Sequence, residues 1–437
     1  MFYFIALLVT TIGADNIQTS YKNYKVFRIP IDSEEQLSYL QYFNESGYQY
    51  WRYPTQGSHA ADLMVAPDKI KPFEEYMKTT QISYTEYIKD VQSLIDKEMS
   101  SRGRRCLNMT DLPLDQYHDL GEIYRWLDNL PSRFPGKVEL IVAGHSFEGR
   151  DIRGVKLSFR PNNSAVVMEG GIHAREWIGP ATIITLVEWF LNSNQAATRK
   201  VADSYDWYMF PVINPDGYEY THTNDRLWRK TRSTSGTTNC VGADLNRNWD
   251  IHWDYEGDYI FYHPRDPCND VYRGSEPFSE VEARTFADYL KSVKDKIYFY
   301  ISLHSYGQYL FFPYTSRREH QRNYNRSYTV GSKAIEAVQR SSENSTHYRL
   351  GTSTDVLNLT LGGTSGDWVQ DALQVPYSFT FELRPSDAWA QQMTGLIPGF
   401  ILPANQIGIN SEEVLIALTA MLEEASKWNE TDISKNE

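Results

Sequence analysis

Cysteine is scarce: the chain has three in 437 residues. So few thiols cannot build a disulfide-dense scaffold, and the odd number leaves one over if the other two join. Positive charge is in deficit, with 43 Lys and Arg against 56 Asp and Glu and a formal charge of -13. That balance argues against nucleic acid or an anionic membrane as the main partner, since both demand a basic surface. Long apolar runs are missing beyond the first few residues, so no later segment reads as a bilayer anchor. Internal repeats and low-complexity stretches are missing too. What is present is 41% apolar, 14% aromatic and 23% charged, the composition of a globular protein rather than a disordered one. A length of 437 residues exceeds one average domain and predicts two or three.

Three parts are legible along the chain. Residues 1–14, MFYFIALLVTTIGA, are apolar from Phe2 to Val9 and then turn to small residues ending at Ala14. They read as a signal peptide, too short to span a bilayer. N-x-[ST] sequons at Asn44, Asn108, Asn162, Asn325, Asn344, Asn358 and Asn429 fit a secreted, extracellular glycoprotein. Residues 15–105 form a second part, with strands expected at YKVFRIPI and HAADLMVAP. Helices are expected at EEQLSYLQYFNES, at DKIKPFEEYMKTTQ and in TEYIKDVQSLIDKEMSS after Tyr84, a βαβαβ-like module followed by a charged helix. It ends in SSRGRRC, where Arg102, Arg104 and Arg105 sit in a glycine- and serine-flanked gap. Such a gap is where proteases cut, although a plain solvated basic turn gives the same pattern.

Residues 106–437 are the third part. Strands at VELIVAG, IRGVKLSF, SAVVMEGG, DWYMFPVIN, KIYFYISL and VPYSFTFEL alternate with helices at PATIITLVEWFLNS, SEVEARTFADYLKSV and SEEVLIALTAMLEEASKW. This alternation predicts an α/β fold whose sheet is largely parallel. GHSFEG around Ser146 is close to a nucleophile elbow, but Glu148 stands where that motif needs glycine, and the stretch reads as a turn between two strands.

The sharpest local signal is GGIHAREWIGP, between an apolar strand and a helix, at the kind of strand end where α/β sheets bind ligands. His173 and Glu176 stand three apart, close enough on a turn to converge on one cation, and an imidazole with a carboxylate suits zinc. A catalytic zinc takes three protein ligands and keeps one position open. His304 is the third candidate, because it too falls where a strand, KIYFYISL, runs out into a loop.

HARE followed by tryptophan, RLWRKTRS, CVGADLNRNWD, LHSYGQ and YSFTFELR occur in that order. Together they resemble the zinc metallocarboxypeptidases of the pancreatic A/B type, over essentially the whole chain. The resemblance implies a secreted zymogen with one Zn2+ that releases the C-terminal amino acid of peptides after cleavage by a trypsin-like protease. It also implies a mixed eight-stranded sheet between helices, preceded by a small α+β pro-domain with an antiparallel sheet and two helices. A monomer acting on peptide and protein C-termini is expected, with no nucleic acid and no membrane involved.

Roles follow residue by residue from the resemblance. Glu382 matches the family's catalytic glutamate, which moves protons between water and the leaving amine. Arg229 matches the arginine that stabilises the oxyanion, and Asp244 the carboxylate that orients the first metal-binding histidine. Asn246 and Arg247 match the pair that clamps the substrate's free carboxylate. Arg175, Ser305 and Tyr306 match residues along the substrate path, and Cys240 with Cys268 matches the family's disulfide, leaving Cys106 over. The chain departs from the family where a mobile tyrosine caps the substrate: the position here holds Asn358, Leu359 or Thr360. Weaker binding but not inactivity is expected, with the Asn358 sequon free of glycan because sugar there would crowd the entrance. At the base of the side-chain pocket, anchoring on Asp367-Trp368 places Gly366 and favours neutral, apolar or aromatic C-terminal residues, the A-type. Counting back from Glu382 places Asp367 there instead, the B-type preference for Lys and Arg. An inactive relative serving as a binding protein should have lost a zinc ligand or the glutamate, and all four are present.

Overall fold

The computed structural model describes residues 18–100, 112–234, 238–255, 264–341, 347–385 and 399–428. The leader, the linker arginines Arg102, Arg104 and Arg105, Cys106 and the sequons at Asn108, Asn344 and Asn429 lie outside the described residues.

In the N-terminal part, four strands, β1 (Lys25–Pro30), β2 (Tyr48–Arg52), β3 (Ala60–Val65) and β4 (Thr85–Ile88), form an antiparallel sheet in the order β2-β3-β1-β4. The helices Glu34–Leu40 and Ile70–Thr80 cover it. Phe27, Leu40, Phe43, Leu63, Phe73 and Met77 make the shared core. The first helix starts where Ser33 and Gln36 cap each other reciprocally, which satisfies two otherwise orphaned backbone donors.

Two expectations need correction. YQYWR is a strand, β2, which the expected βαβαβ order passed over. Thr85–Ile88 is also a strand rather than the start of a helix, which begins only at Val91. β4 is an edge strand with its first residues exposed, and its pairing with β1 is a tertiary contact that outweighs the helix-compatible pattern of polar residues.

The larger sheet runs β11-β10-β12-β9-β7-β8-β6-β5. Its strands are β5 (Val138–His145), β6 (Asp151–Leu157), β7 (Ala165–Gly170), β8 (Asp206–Phe210), β9 (Ile297–Ser305), β10 (Tyr309–Phe311), β11 (Arg349–Gly351) and β12 (Tyr377–Leu383). The central strands β12, β9, β7 and β8 are mutually parallel, while β5 with β6, β6 with β8 and β10 with β12 are antiparallel. GHSFEG is the turn of the β5–β6 hairpin, where Ser146 Oγ donates to Asp216 Oδ1 at 2.6 Å.

Period-two alternation decides what faces where. Ile301, Leu303, Phe379 and Phe381 point into a core with the helices Leu120–Arg133, Ile178–Asn192, Tyr324–Ser341 and Ile407–Ala425. On the opposite face, Val167, Phe210 and Tyr300 pack against the helices Val281–Val293 and Ser365–Ala372. The same alternation sets Ser302, His304, Thr380 and Glu382 on this second face. β9 and β12 pair His304 with Glu382, and β10 adds Tyr309 opposite Glu382 and Phe311 opposite Thr380. A disulfide joins Cys240 to Cys268. Among the described residues no helix is long and apolar enough to cross a membrane.

Candidate active site

Two strands deliver the three candidate ligands at their carboxyl ends. β7 ends at Gly170 and the chain turns through His173 and Glu176 into the helix Ile178–Asn192; β9 carries His304 one residue before its end. Nδ1 of His173 lies 2.8 Å from Oε1 of Glu176. Nδ1 of His304 lies 3.0 Å from Nδ1 of His173 and 3.0 Å from Oε2 of Glu176. The candidate ligand atoms of the three buried side chains fall within 4.8 Å of one another.

The donor set suits a zinc ion. Asp244 accepts a hydrogen bond from Nε2 of His173 at 3.0 Å, which fixes the proton on that nitrogen and leaves the Nδ1 lone pair facing Glu176 and His304. Asp244 is held well below the usual carboxylate range: burial opposes this, but Arg229, His173 and Arg247 outweigh it. Arg229 donates to Asp244 Oδ2 from Nε at 3.0 Å and from Nη2 at 2.8 Å, and its Nη1 lies 3.7 Å from Glu176. Glu176 is likewise lowered, burial being overcome by His173 and His304.

Stripped of metal, these buried charges would organise around a proton. Burial pulls His304 down, but the Glu176 carboxylate beside it dominates and raises it to about 9. The sign follows: the pair's contribution to metal-free stability is complete below the ordinary value of 6.5 and is lost as pH climbs through about 9. A zinc ligand must be neutral imidazole, so zinc has to displace that proton. Titration of zinc into the metal-free protein near pH 7 should therefore release about one proton per ion, and affinity should climb about tenfold per pH unit until His304 is neutral. Calorimetry in two buffers of different ionisation enthalpy measures this; identical heats in both would remove the coupling.

Glu382 is half-buried and open toward the same cavity. Scarcity of water pushes its carboxyl up to about 8, opposed by His304 and reinforced by Glu176, with Arg229 and Arg247 also opposing. A cation among the three ligands would add positive charge beside it and draw it down again. Asn246 lies with its amide nitrogen 3.2 Å from Nε2 of His304, while its oxygen accepts from the Ser365 N–H at 2.9 Å. Arg247, buried, donates to the Asn246 carbonyl at 2.6 Å. Gly363 lets the next loop lie against it: its φ is +72°, and a Cβ there would sit 2.1 Å from the Arg247 carbonyl oxygen.

Gly366 forms part of the cavity wall, and a Cβ on it would meet only the hydroxyls of Ser378 and Thr380, both at 3.4 Å. The neighbouring Asp367 also lines the cavity, its carboxylate accepting from the Thr315 N–H at 2.9 Å and the Ser316 N–H at 2.9 Å. Ser305 donates its N–H to Glu176 at 3.2 Å. His173, Arg175, Glu176, Arg229, Asn246, Arg247, His304, Ser305, Tyr306, Gly366 and Glu382 all line one cavity, with Asp244 behind His173.

Residues 123–417 match the family model described as zinc carboxypeptidase, and residues 27–98 match that described as carboxypeptidase activation peptide. The chain belongs to the zinc carboxypeptidase family. It is 37% identical over 428 residues to zinc carboxypeptidase A 1 of Anopheles gambiae, covering 97% of this chain and 94% of that one. Carboxypeptidase B of Astacus astacus is 38% identical over 299 residues, covering 68% of this chain and 93% of that one. A crystal structure of thrombin activatable fibrinolysis inhibitor superposes with a TM-score of 0.82 at 29% identity, covering 93% of this chain and all of that one (100%). The chain is thus a metallocarboxypeptidase that uses zinc and carries an activation peptide.

The activation peptide covers the metal site, as a zymogen requires, through contacts that sequence reasoning did not identify. Trp51, Arg52, Tyr53, Thr55 and Ser58 line the same cavity as the zinc ligands. Tyr306 donates its hydroxyl to the buried Asp62 at 3.0 Å, and Arg28 and Arg52 hold the same carboxylate. On the helix Val91–Ser100, Glu98 receives the buried Arg226 fork at 2.6 and 3.0 Å. That guanidinium also donates to the carbonyls of Arg175 and Phe400, both at 2.9 Å, and lies on the Trp177 ring at 3.6 Å. These partners sit 128 residues apart for Glu98 and Arg226 and 244 apart for Asp62 and Tyr306, a separation no motif spans. Asn358 is one of the three candidates for the loop position without the family's tyrosine; its side-chain nitrogen donates to Gln56, and its oxygen accepts from Arg318 at 2.8 Å.

Proposed function

We propose that this carboxypeptidase is a secreted A-type zymogen. Cleavage at Arg102, Arg104 or Arg105 by a trypsin-like protease would free it to release neutral, apolar or aromatic C-terminal residues. The A-type reading is carried by one observation: Gly366 faces the cavity beside Thr380, while the Asp367 carboxylate is spent on the backbone N–H groups of Thr315 and Ser316. A Lys or Arg side chain entering there meets the hydroxyls of Ser378 and Thr380 at Gly366, and the Asp367 carboxylate, which also borders the cavity, is already held by two N–H groups.

Arg247 and Asn246 hold the substrate's terminal carboxylate, the guanidinium by paired charge-assisted hydrogen bonds. This places the last peptide bond between the ligand cluster and Glu382. Zinc, when bound, supplies the positive charge that polarises the scissile carbonyl and acidifies water. Arg229, anchored on Asp244, presents the rest of its fork to the carbonyl oxygen as it turns negative. Glu382 takes the proton of the attacking water and passes it to the departing amine. Asp244 keeps His173 in its ligating tautomer throughout.

The test is direct. The purified full chain, before and after trypsin, is given peptides that differ only in a C-terminal Phe, Leu, Lys or Glu. Trypsin should switch activity on, with Phe and Leu released at least about tenfold faster than Lys or Glu, as expected when a charge is desolvated without a partner. Fastest release of Lys would overturn the A-type reading in favour of the B-type.

A further inference from the structure

Asn246 and Arg247 sit on a 3-10 turn of three residues, Leu245–Arg247, which is too short to hold its own position. Within it the Arg247 N–H donates to the Asp244 carbonyl at 3.0 Å. The next residue, Asn248, is fully buried and takes no part in the reaction steps above. Its Oδ1 accepts from the Glu280 N–H at 2.9 Å. Its Nδ2 shares two protons among the Arg273 carbonyl at 2.8 Å, Ser279 Oγ at 2.9 Å and the Glu276 carbonyl at 3.0 Å. Its own carbonyl accepts from the Phe278 N–H at 2.7 Å. The seat is cut to this carboxamide: Gly274 has φ +85°, and a Cβ there would lie 2.4 Å from Nδ2. Glu280 carries the connection onward. Its Oε2 accepts from Thr231 Oγ1 and Ser233 Oγ, both at 2.6 Å, so the segment just after Arg229 hangs on the same residue. Glu280 leads directly into the helix Val281–Val293, whose Ala283, Phe286 and Leu290 are packed in the core.

We propose that Asn248 and Glu280 are positioning residues for the carboxylate clamp, a brace that sets Arg247 against the helix Val281–Val293 and at a fixed separation from Arg229. The inference rests on the clamp reading of Arg247 given above, and adds what holds that clamp in register with the oxyanion arginine. Both arginine-bearing segments are referred to one rigid element, so the terminal carboxylate and the scissile carbonyl oxygen are met together. The chemistry of the seat explains why it holds asparagine, which offers an acceptor and two donor protons on a short stem. Aspartate has no donor and would set its charge against the Arg273 and Glu276 carbonyls. Alanine would leave those carbonyls and the Glu280 N–H without the side chain that satisfies them. A guanidinium displaced by even about 1 Å loses paired contact with a carboxylate, and misplacement on that scale can cost up to about 10²-fold.

Paired peptides that differ in a free or an amidated C-terminus test this on the trypsin-treated full chain. Asn248→Ala should raise KM for the free peptide about tenfold and leave kcat within about threefold, with zinc content unchanged. The free:amidated ratio of kcat/KM should fall about tenfold as well, because the amidated peptide does not use the clamp. Asn248→Ser keeps a hydroxyl that can accept from the Glu280 N–H and should lie between the native protein and Asn248→Ala. The ratio and KM are the readouts because a smaller folded fraction lowers both peptides together and leaves KM alone. An unchanged KM and ratio in these variants, whatever their yield, would overturn the positioning role, as would a fall in kcat at unchanged KM. If the native protein cut both peptides alike, the clamp reading itself would fail, and the brace with it.

Discussion

Glu382→Gln should leave zinc bound and the fold intact while turnover falls by about 10²–10⁴-fold, the range of a positioned proton-transfer group. Glutamine keeps the shape and the polar contacts but cannot accept a proton from water. Stability should not suffer, because the glutamate already carries a cost: its surroundings push the carboxyl up to about 8, favouring the neutral form that glutamine imitates. Zinc content by elemental analysis and single-turnover hydrolysis of one good substrate separate the two effects. Near-normal hydrolysis by a variant that retains its metal would remove Glu382 from the reaction.

The second large effect concerns the clamp. Arg247→Ala should lower kcat/KM for peptides with a free C-terminus by about 10²–10⁴-fold, since two charge-assisted bonds contribute roughly 1.5–3 kcal/mol each. The loss should appear chiefly in KM, because the carboxylate is held alike in the ground and transition states. Arg247→Lys should recover only part of it, as an ammonium lacks the planar fork. The native protein supplies the control: peptides with an amidated C-terminus should be cleaved at a few per cent or less of the rate of their free counterparts. If amidated and free peptides were cut equally, the clamp would have no such role.

Much of this site can be read from the chain because its chemistry is local. His173 and Glu176 share one turn, and His304 and Glu382 sit at the ends of strands whose apolar alternation is plain. Asp244, Asn246 and Arg247 fall within one short segment. β10 and β11 were not legible, because three residues are too few to show a period. The aromatic wall of Tyr309 and Phe311 was lost with them, although their i, i+2 spacing is the pattern that register later explains. β4 was misread for the opposite reason: its exposed polar residues suit a helix equally well, and only β1 makes them a strand. A cover over the cavity was expected, but its contacts were not legible, because they are pairings between distant parts of the chain, each contributing one unremarkable residue.

Arg226 gives maturation a direction. In the uncut chain it clasps an acid from the front portion while also bracing the backbone beside two of the metal's ligands. Departure of that acid with its helix would remove the cover as well as the counter-charge, leaving Arg226 on its two carbonyl acceptors and the Trp177 ring and open to water. The cut that opens the groove thus also exchanges a buried ion pair for a hydrated cation at its rim.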